Sequence, residues 1–197
     1  MNFKRVFDIL FSCFGLFILF PLWVLISMLI FLEDGLPIYF YDTRVGKGGK
    51  TYKHLKFRSM IKSAERNTGP VYSLEDDCRI TKLGRILRKT AMDELPQIIN
   101  IFKGDMSFVG PRSERPFFVE KFLLELPNYD KRFSVRPGLT GMAQVYGKHN
   151  TPAGEKLVYD LLYIKKMNIF FDINLIAKSI LITILAGWEK FDKGSGK

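Results

Sequence analysis

The chain has 197 residues, enough for one domain with a buried core, and carries 30 Lys and Arg against 20 Asp and Glu for a net charge of +10. With only two cysteines and two histidines, it excludes a disulfide framework and a Cys/His zinc centre, and it suits a reducing, cytosol-facing location. The basic excess fits a polyanionic partner such as lipid headgroups, phosphorylated substrates or nucleic acid, and charge does not choose among them.

Residues 9–32, between Asp8 and Glu33, hold no formal charge, a run longer than the roughly 20 residues a helix needs to cross hydrocarbon. It exceeds a signal-peptide core and has no A-x-A-like site behind it, so it reads as retained. Pro21 sits near its midpoint, where it removes a backbone donor and clashes with the carbonyl of Phe17, predicting a kink or break. Lys4 and Arg5 precede the block and Arg44, Lys47 and Lys50 follow it, so both flanks favour the cytoplasmic side. A re-entrant helix–break–helix is therefore expected over residues 1–36, in preference to a straight crossing.

Residues 38–60 place a Gly-Lys-Gly-Gly turn at 46–49 between Tyr-, Phe-, Thr- and Val-rich stretches, the pattern of a short β-hairpin. Residues 63–78, with Gly69-Pro70 and Glu75-Asp76-Asp77, read as a surface loop. From Arg79 to Lys89, basic residues alternate with Ile80, Leu83, Ile86 and Leu87 at helical spacing, which predicts a basic amphipathic helix for anionic lipid, a phosphate site or a solvated face. Near the C-terminus Ile173, Ile176, Ala177, Ile180, Leu181, Ile184 and Leu185 follow helical spacing, while Asp172 and Lys178 argue against a second crossing and for an interfacial helix. Residues 191–197 form an expected flexible tail. The predicted class is α+β and mostly helical: an N-terminal membrane hairpin, a short β-hairpin and interfacial amphipathic helices.

The chemistry-bearing stretch is Thr90–Asn100, TAMDELPQIIN. With Asp93 as N-cap, Pro96 falls in the first turn and Gly104 closes the helix after Lys103, so the carboxylates would sit where a helix start favours anions. The same residues are also ordinary helix-start chemistry, and Thr90 with Asp93 fits a capping box. Lys56, Arg58, Arg85, Arg88, Lys103, Arg112, Arg115, Arg132 and Arg136 recur through the middle of the chain, and Gly110-Pro111 and Pro137-Gly138 put Arg112 and Arg136 at turns. There is no Walker loop or dinucleotide fingerprint. His54 reads as structural and His149 as a loop residue. A magnesium ion needs only one or two carboxylates plus substrate phosphates, which Asp93 can supply.

These segments together resemble the monotopic phosphoglycosyl transferases, also called bacterial sugar transferases or polyprenyl-phosphate hexose-1-phosphate transferases: KFRSM at 56–60, DDCRITKLGRILRKTAMDELPQ at 76–97, KGDMSFVGPRSERP at 103–116, RPGLTGMAQV at 136–145 and YDLLYIKK at 159–166. The resemblance implies a re-entrant helix, a cytoplasm-facing catalytic domain over residues 37–190 on the bacterial inner membrane, and magnesium. It implies that Asp93 attacks the β-phosphate of a UDP-sugar, that Glu94 assists as acid/base, and that a polyprenyl phosphate such as undecaprenyl phosphate accepts the sugar phosphate after UMP leaves. Lys56, Arg58, Arg88, Arg112 and Arg136 become the phosphate and nucleotide candidates. Three positions depart from the family pattern: Phe20 replaces Ser before the break, Ser113 replaces Pro after Arg112, which predicts a looser turn, and Met142 replaces Trp. The rival from another class is a non-catalytic membrane-anchored lipid-binding or scaffold protein. Nucleic-acid binding has no motif to support it. A homodimer along the amphipathic helices is compatible with the pattern but not specified by it.

Overall fold

The computed structural model describes residues 3–64, 69, 77–147 and 151–190, with 184–190 described by backbone alone. Most of the predicted 63–78 loop, His149 and the 191–197 tail lie outside the described residues.

Helix α1 runs from Phe3 to Asp34, and Pro21 lies inside it. Helical structure continues through the position of the expected break, where proline removes a single N–H donor and the turns on either side remain helical. At 1.5 Å per residue it is roughly 48 Å long. It has the length and apolar composition to cross a membrane, its most apolar 18-residue stretch averaging a hydropathy of 2.6 with little of that stretch buried. What is buried is concentrated near its two ends. Near the N-terminus Lys4 donates to Asp172, to the Tyr163 hydroxyl at 2.9 Å and to the Val109 carbonyl at 3.0 Å. Arg5 donates to the Ile101 and Phe102 carbonyls, while Asp8 accepts from the Ser107 hydroxyl at 3.0 Å and the Phe108 N–H at 3.2 Å. Towards the C-terminus Ile26 and Ile30 join Phe57 and Leu87 in a buried cluster edged by Leu22 and Trp23. Between these anchorages Phe14, Phe17 and Phe20 are exposed, Phe17 at 82%.

The predicted hairpin is present. Strand β1 (Tyr39–Val45) pairs antiparallel with β2 (Thr51–Phe57), Tyr39 opposite Phe57 and Val45 opposite Thr51, around a 3-10 turn at Lys47–Gly49. Stacking of Tyr39 on Phe57 and a 2.8 Å bond from Trp23 Nε1 to the Tyr39 hydroxyl join its base to α1. Burying Phe57 alone is worth about 1.5–3 kcal/mol.

Helix α2 spans Lys82–Lys89, shorter than the predicted 79–89, because Thr81 is its N-cap and accepts from the Gly84 N–H at 2.9 Å. Ile80 instead forms an isolated bridge with Met60. Leu87 is buried, while Ile86, expected beside it on the apolar face, is exposed. The Glu33 carboxylate accepts from the Leu83 N–H at 3.1 Å, the favourable place for an anion in a first helical turn.

Helix α3 (Gln97–Lys103) ends at Gly104, whose φ of 98° is the left-handed stop expected of glycine. The parallel pair β3 (Ser107–Val109) and β4 (Gly138–Thr140) was not foreseen; strands of three residues carry too little alternation to be read. They bracket α4 (Pro116–Glu125) and a 3-10 stretch at Tyr129–Ser134. Helices α5 (Met142–Tyr146), α6 (Ala153–Lys166) and α7 (Ile169–Lys190) complete the chain. On α7, Asp172, expected to argue against a second crossing, is buried on Lys4 and Tyr163, while Ile173, Ile180 and Leu181 are exposed. A long-range ion pair outweighs helical periodicity there.

Gly84 lets α2 lie on the chain just beyond β2, since a Cβ there would sit 2.0 Å from the Ser59 carbonyl oxygen. Gly84→Ala should cost about 1–3 kcal/mol through backbone displacement and lower the thermal midpoint of detergent-solubilised protein. A wild-type melt would mean that α2 does not need this approach.

Candidate active site

Asp93 and Glu94 lie in a 3-10 turn, Met92–Glu94, between α2 and α3. Asp93 is not the N-cap that the sequence suggested. Pro96 holds that place for α3 without a side-chain cap, and the Thr90 hydroxyl donates back to the Ile86 carbonyl at 2.9 Å instead of closing a capping box. The turn is entered through Ala91, a non-glycine residue at φ 55°, a conformation that costs about 1–2 kcal/mol and collects at functional sites.

The turn brings the acidic pair against β2. Glu94 Oε1 accepts from Lys56 Nζ and from an Arg112 terminal nitrogen, each at 2.7 Å. Arg112 arrives from the loop after β3. Burial disfavours the Glu94 charge, yet Arg112 and Lys56 outweigh it and hold the carboxyl well below its ordinary value. Glu94 in turn raises the Arg112 pKa. Asp93 behaves in the opposite way. It is 7% exposed, and no hydrogen bond or ion pair to its carboxylate is found among the described residues. Burial pushes its pKa up and the Glu94 charge adds to this, against the pull of Lys56, Arg88 and Arg112. Two adjacent carboxyls are thereby driven apart, one firmly ionised and one poised.

Residues 1–186 match the family described as bacterial sugar transferase. The chain belongs to that family. Among its relatives, an Aeromonas hydrophila protein named UDP-N-acetylgalactosamine-undecaprenyl-phosphate N-acetylgalactosaminephosphotransferase is 39% identical over 188 residues, covering 94% of this chain and 44% of its own length. The UDP-glucose:undecaprenyl-phosphate glucose-1-phosphate transferase of Escherichia coli K12 is 36% identical, covering 94% of this chain and 40% of its own. An exopolysaccharide production protein, PSS, of Rhizobium leguminosarum bv. phaseoli is 35% identical with 93% and 96% covered. The chain therefore spans under half of the first two relatives and nearly all of the third.

In this bacterial sugar transferase the structure gathers part of the predicted site set. Lys56 and Arg112 hold Glu94; Arg88 lies close enough to Asp93 to act on its charge and donates from Nε to the Ser59 hydroxyl at 2.9 Å. Arg58 and Arg136 are placed elsewhere. Arg58 is buried against the end of α1, donating to the Gly35 carbonyl at 2.8 Å and pairing with Asp34 at 3.0 Å. Arg136 donates to the Gly104 carbonyl at 2.7 Å, at the opposite end of α3 from the acidic pair. Both satisfy helix-terminal carbonyls, which their neighbours in sequence do not reveal. His54 is structural, buried with Nδ1 3.0 Å from Asp42.

Two departures from the family pattern are accommodated. Ser113 does not loosen its turn: it is buried, its hydroxyl accepts from Tyr52 at 3.0 Å and its carbonyl from Arg44 at 2.8 Å. Met142 packs on the cluster of Val109, Val145, Tyr163 and Leu175. Phe20 is exposed on α1. Tyr52, Arg44 and Asp42 were missed because polar residues within a strand carry no spacing signal.

Among the described residues no group of three or more His, Cys, Asp or Glu side chains is placed to hold a metal. Magnesium does not require one, and the single uncommitted carboxylate of Asp93 fits an ion held chiefly by substrate phosphates.

Glu94→Gln should leave Lys56 and Arg112 facing each other without a counter-charge and cost about 1–3 kcal/mol at neutral pH. Because the folded-state pKa of Glu94 is depressed, its contribution is present above the unfolded carboxylate range and is lost as pH falls towards the folded value. Chemical denaturation of both proteins between pH 7 and pH 3 should show the gap closing with acid. A gap independent of pH would contradict the ion-pair account.

Proposed function

We propose that this protein is a phosphoglycosyl transferase that moves a sugar 1-phosphate from a UDP-sugar to a polyprenyl phosphate, undecaprenyl phosphate in bacteria, as an early step of glycan assembly. The observation that carries this reading is the buried Asp93 carboxylate, without a hydrogen bond or ion pair among the described residues, beside a carboxylate that holds two cations. The names of the relatives support the donor and acceptor classes.

In the first step an Asp93 oxygen attacks the β-phosphorus of the donor, and the bond from that phosphorus to the bridging oxygen breaks. UMP leaves with the electron pair, and an aspartyl phosphosugar remains. In the second step an oxygen of the lipid phosphate attacks the same phosphorus, the aspartyl–phosphorus bond breaks, Asp93 is regenerated and a polyprenyl diphosphate sugar departs. Lys56 and Arg112 bind the diphosphate and offset the repulsion between its charge and Asp93. Arg88 lowers the cost of ionising Asp93. Glu94 holds both cations in place; once phosphate oxygens draw them away, its carboxylate is freed to take a proton. A magnesium ion, with Asp93 as its protein ligand, would supply further neutralisation of the diphosphate.

The protein is further proposed to sit monotopically on the inner membrane with this site at the cytoplasmic face. Both ends of α1 dock on one folded body through charged groups, Lys4, Arg5 and Asp8 at one end and Glu33 and Asp34 at the other, while its apolar middle is exposed. That arrangement supports a dip into one leaflet over a crossing. The exposed residues of α7 suit the same interface. In a background lacking Cys13 and Cys78, Asn2→Cys and Lys47→Cys should both react from the cytoplasmic side of oriented vesicles; labelling from opposite sides would establish a crossing.

Detergent-purified protein incubated with magnesium and a panel of UDP-sugars should gain the mass of a phosphosugar and release UMP, and Asp93→Asn should do neither. A scaffold protein would show no adduct and would keep its function in that variant. Protonated Asp93 cannot attack, so activity should fall on the acid side as pH drops through its raised pKa. Lys56→Met removes the foremost of the charges lowering that pKa and should move this limb to higher pH; a limb shifted to lower pH would assign it to another group.

A further inference from the structure

Arg112 is effective only where its backbone puts it, and the loop that carries it is held in an unusual way. Four consecutive carbonyls are each satisfied from a different direction. Pro111 accepts from the Gly138 N–H at 3.0 Å, Arg112 from Arg132 at 2.8 Å, Ser113 from Arg44 at 2.8 Å and Glu114 from the Val45 N–H at 2.9 Å. The backbone on both sides of Arg112 is thereby fixed, and Gly110 sets its start, since a Cβ there would meet the Arg136 carbonyl oxygen at 2.3 Å.

The brace from the hairpin converges on one buried acid. Asp42 Oδ2 accepts from Arg44 Nε at 2.7 Å and from Arg115 Nε at 3.1 Å, and Oδ1 faces His54 Nδ1 at 3.0 Å. Arg44 therefore uses one edge of its guanidinium on Asp42 and another on the Ser113 carbonyl, and Arg115 ties the far end of the loop, where α4 begins, to the same carboxylate. Without that charge two largely buried guanidiniums would repel each other across the space Asp42 fills, and each would lose the carboxylate that sets its position in the loop.

We propose that Asp42 is a positioning residue of the transferase site: through Arg44 and Arg115 it sets the 110–115 loop that aims Arg112 at Glu94 and the donor diphosphate. It touches no reacting atom. Its contribution rests on the phosphoglycosyl transfer reading, and a misplacement of about 1 Å in such a group costs up to about a hundredfold in rate.

The test compares Asp42→Asn, Arg112→Ala and the double variant by UMP release, with hydrogen exchange on each protein. Asn is nearly isosteric but uncharged. Asp42→Asn should lower kcat/KM between about tenfold and a hundredfold, and the double variant should lose little beyond Arg112→Ala, because Asp42 acts through Arg112. Deuterium uptake should rise in peptides covering 43–46 and 110–118 and stay unchanged elsewhere. Losses that multiply, or exchange that rises throughout the chain, would make Asp42 merely a stabiliser of the fold and overturn the proposal. If Asp42→Asn does not fold, Arg44→Lys serves in its place, since a lysine keeps the charge for Asp42 but cannot also reach Ser113. If wild-type protein releases no UMP with any donor, the transferase reading fails by itself; unchanged exchange in the two segments would then still refute the Asp42 brace.

Discussion

Two cations drawn to one carboxylate hold the candidate site together. Lys56 comes from β2, Arg112 from a loop more than fifty residues further along the chain, and Glu94 from the turn between them; the 2.7 Å contacts fix three separate elements relative to one another. Glu94 is the more buried partner, and burial would oppose its charge without the two cations. Asp93 is left over. Its neighbour holds Lys56 and Arg112, no hydrogen bond to its own carboxyl is found among the described residues, and burial pushes its pKa up. Adjacent carboxyls driven apart in this way, one holding two cations and one left without a hydrogen bond among the described residues, are the pattern expected of a phosphoryl-transfer site under the proposed function.

The same economy governs the apolar helix. A segment that could cross a bilayer is fastened at both ends to one folded body, by ion pairs and hydrogen bonds at its start and by hydrophobic packing and helix capping at its finish. Lys4 and Asp172 link α1 to α7, so two elements with exposed apolar residues are set side by side. The site hangs on this frame: Leu87 of α2 packs under α1, and α2 leads directly into the turn that carries the acidic pair.

Much of this was legible in the sequence. The uncharged run at 9–32, the Gly-rich turn of the hairpin, the basic helix before Asp93-Glu94 and the Gly104 stop each follow from local chemistry, and each is found. The acidic pair could be singled out because adjacent carboxylates before a proline, among so many basic residues, are chemically costly without a purpose. Ordered motifs spread along the chain made the family recognisable, since several such segments in one order constrain far more than any one of them.

What the sequence could not decide was which charge meets which. Arg58, Arg88, Arg112 and Arg136 look alike as residue types, yet two serve helix-terminal carbonyls and two stand at the acidic pair; Asp172 reads only as a charge against a second crossing and is in fact a buried anchor. Ion pairs between residues far apart in the chain depend on the three-dimensional approach of elements, which leaves no period in the sequence. The left-handed Ala91 and the braced Ser113 belong to the same class, because in each the tertiary surroundings override a local preference. Local propensity and hydrophobic pattern therefore determined the elements and the chemistry available, while only tertiary packing decided which of the available charges meet the acidic pair.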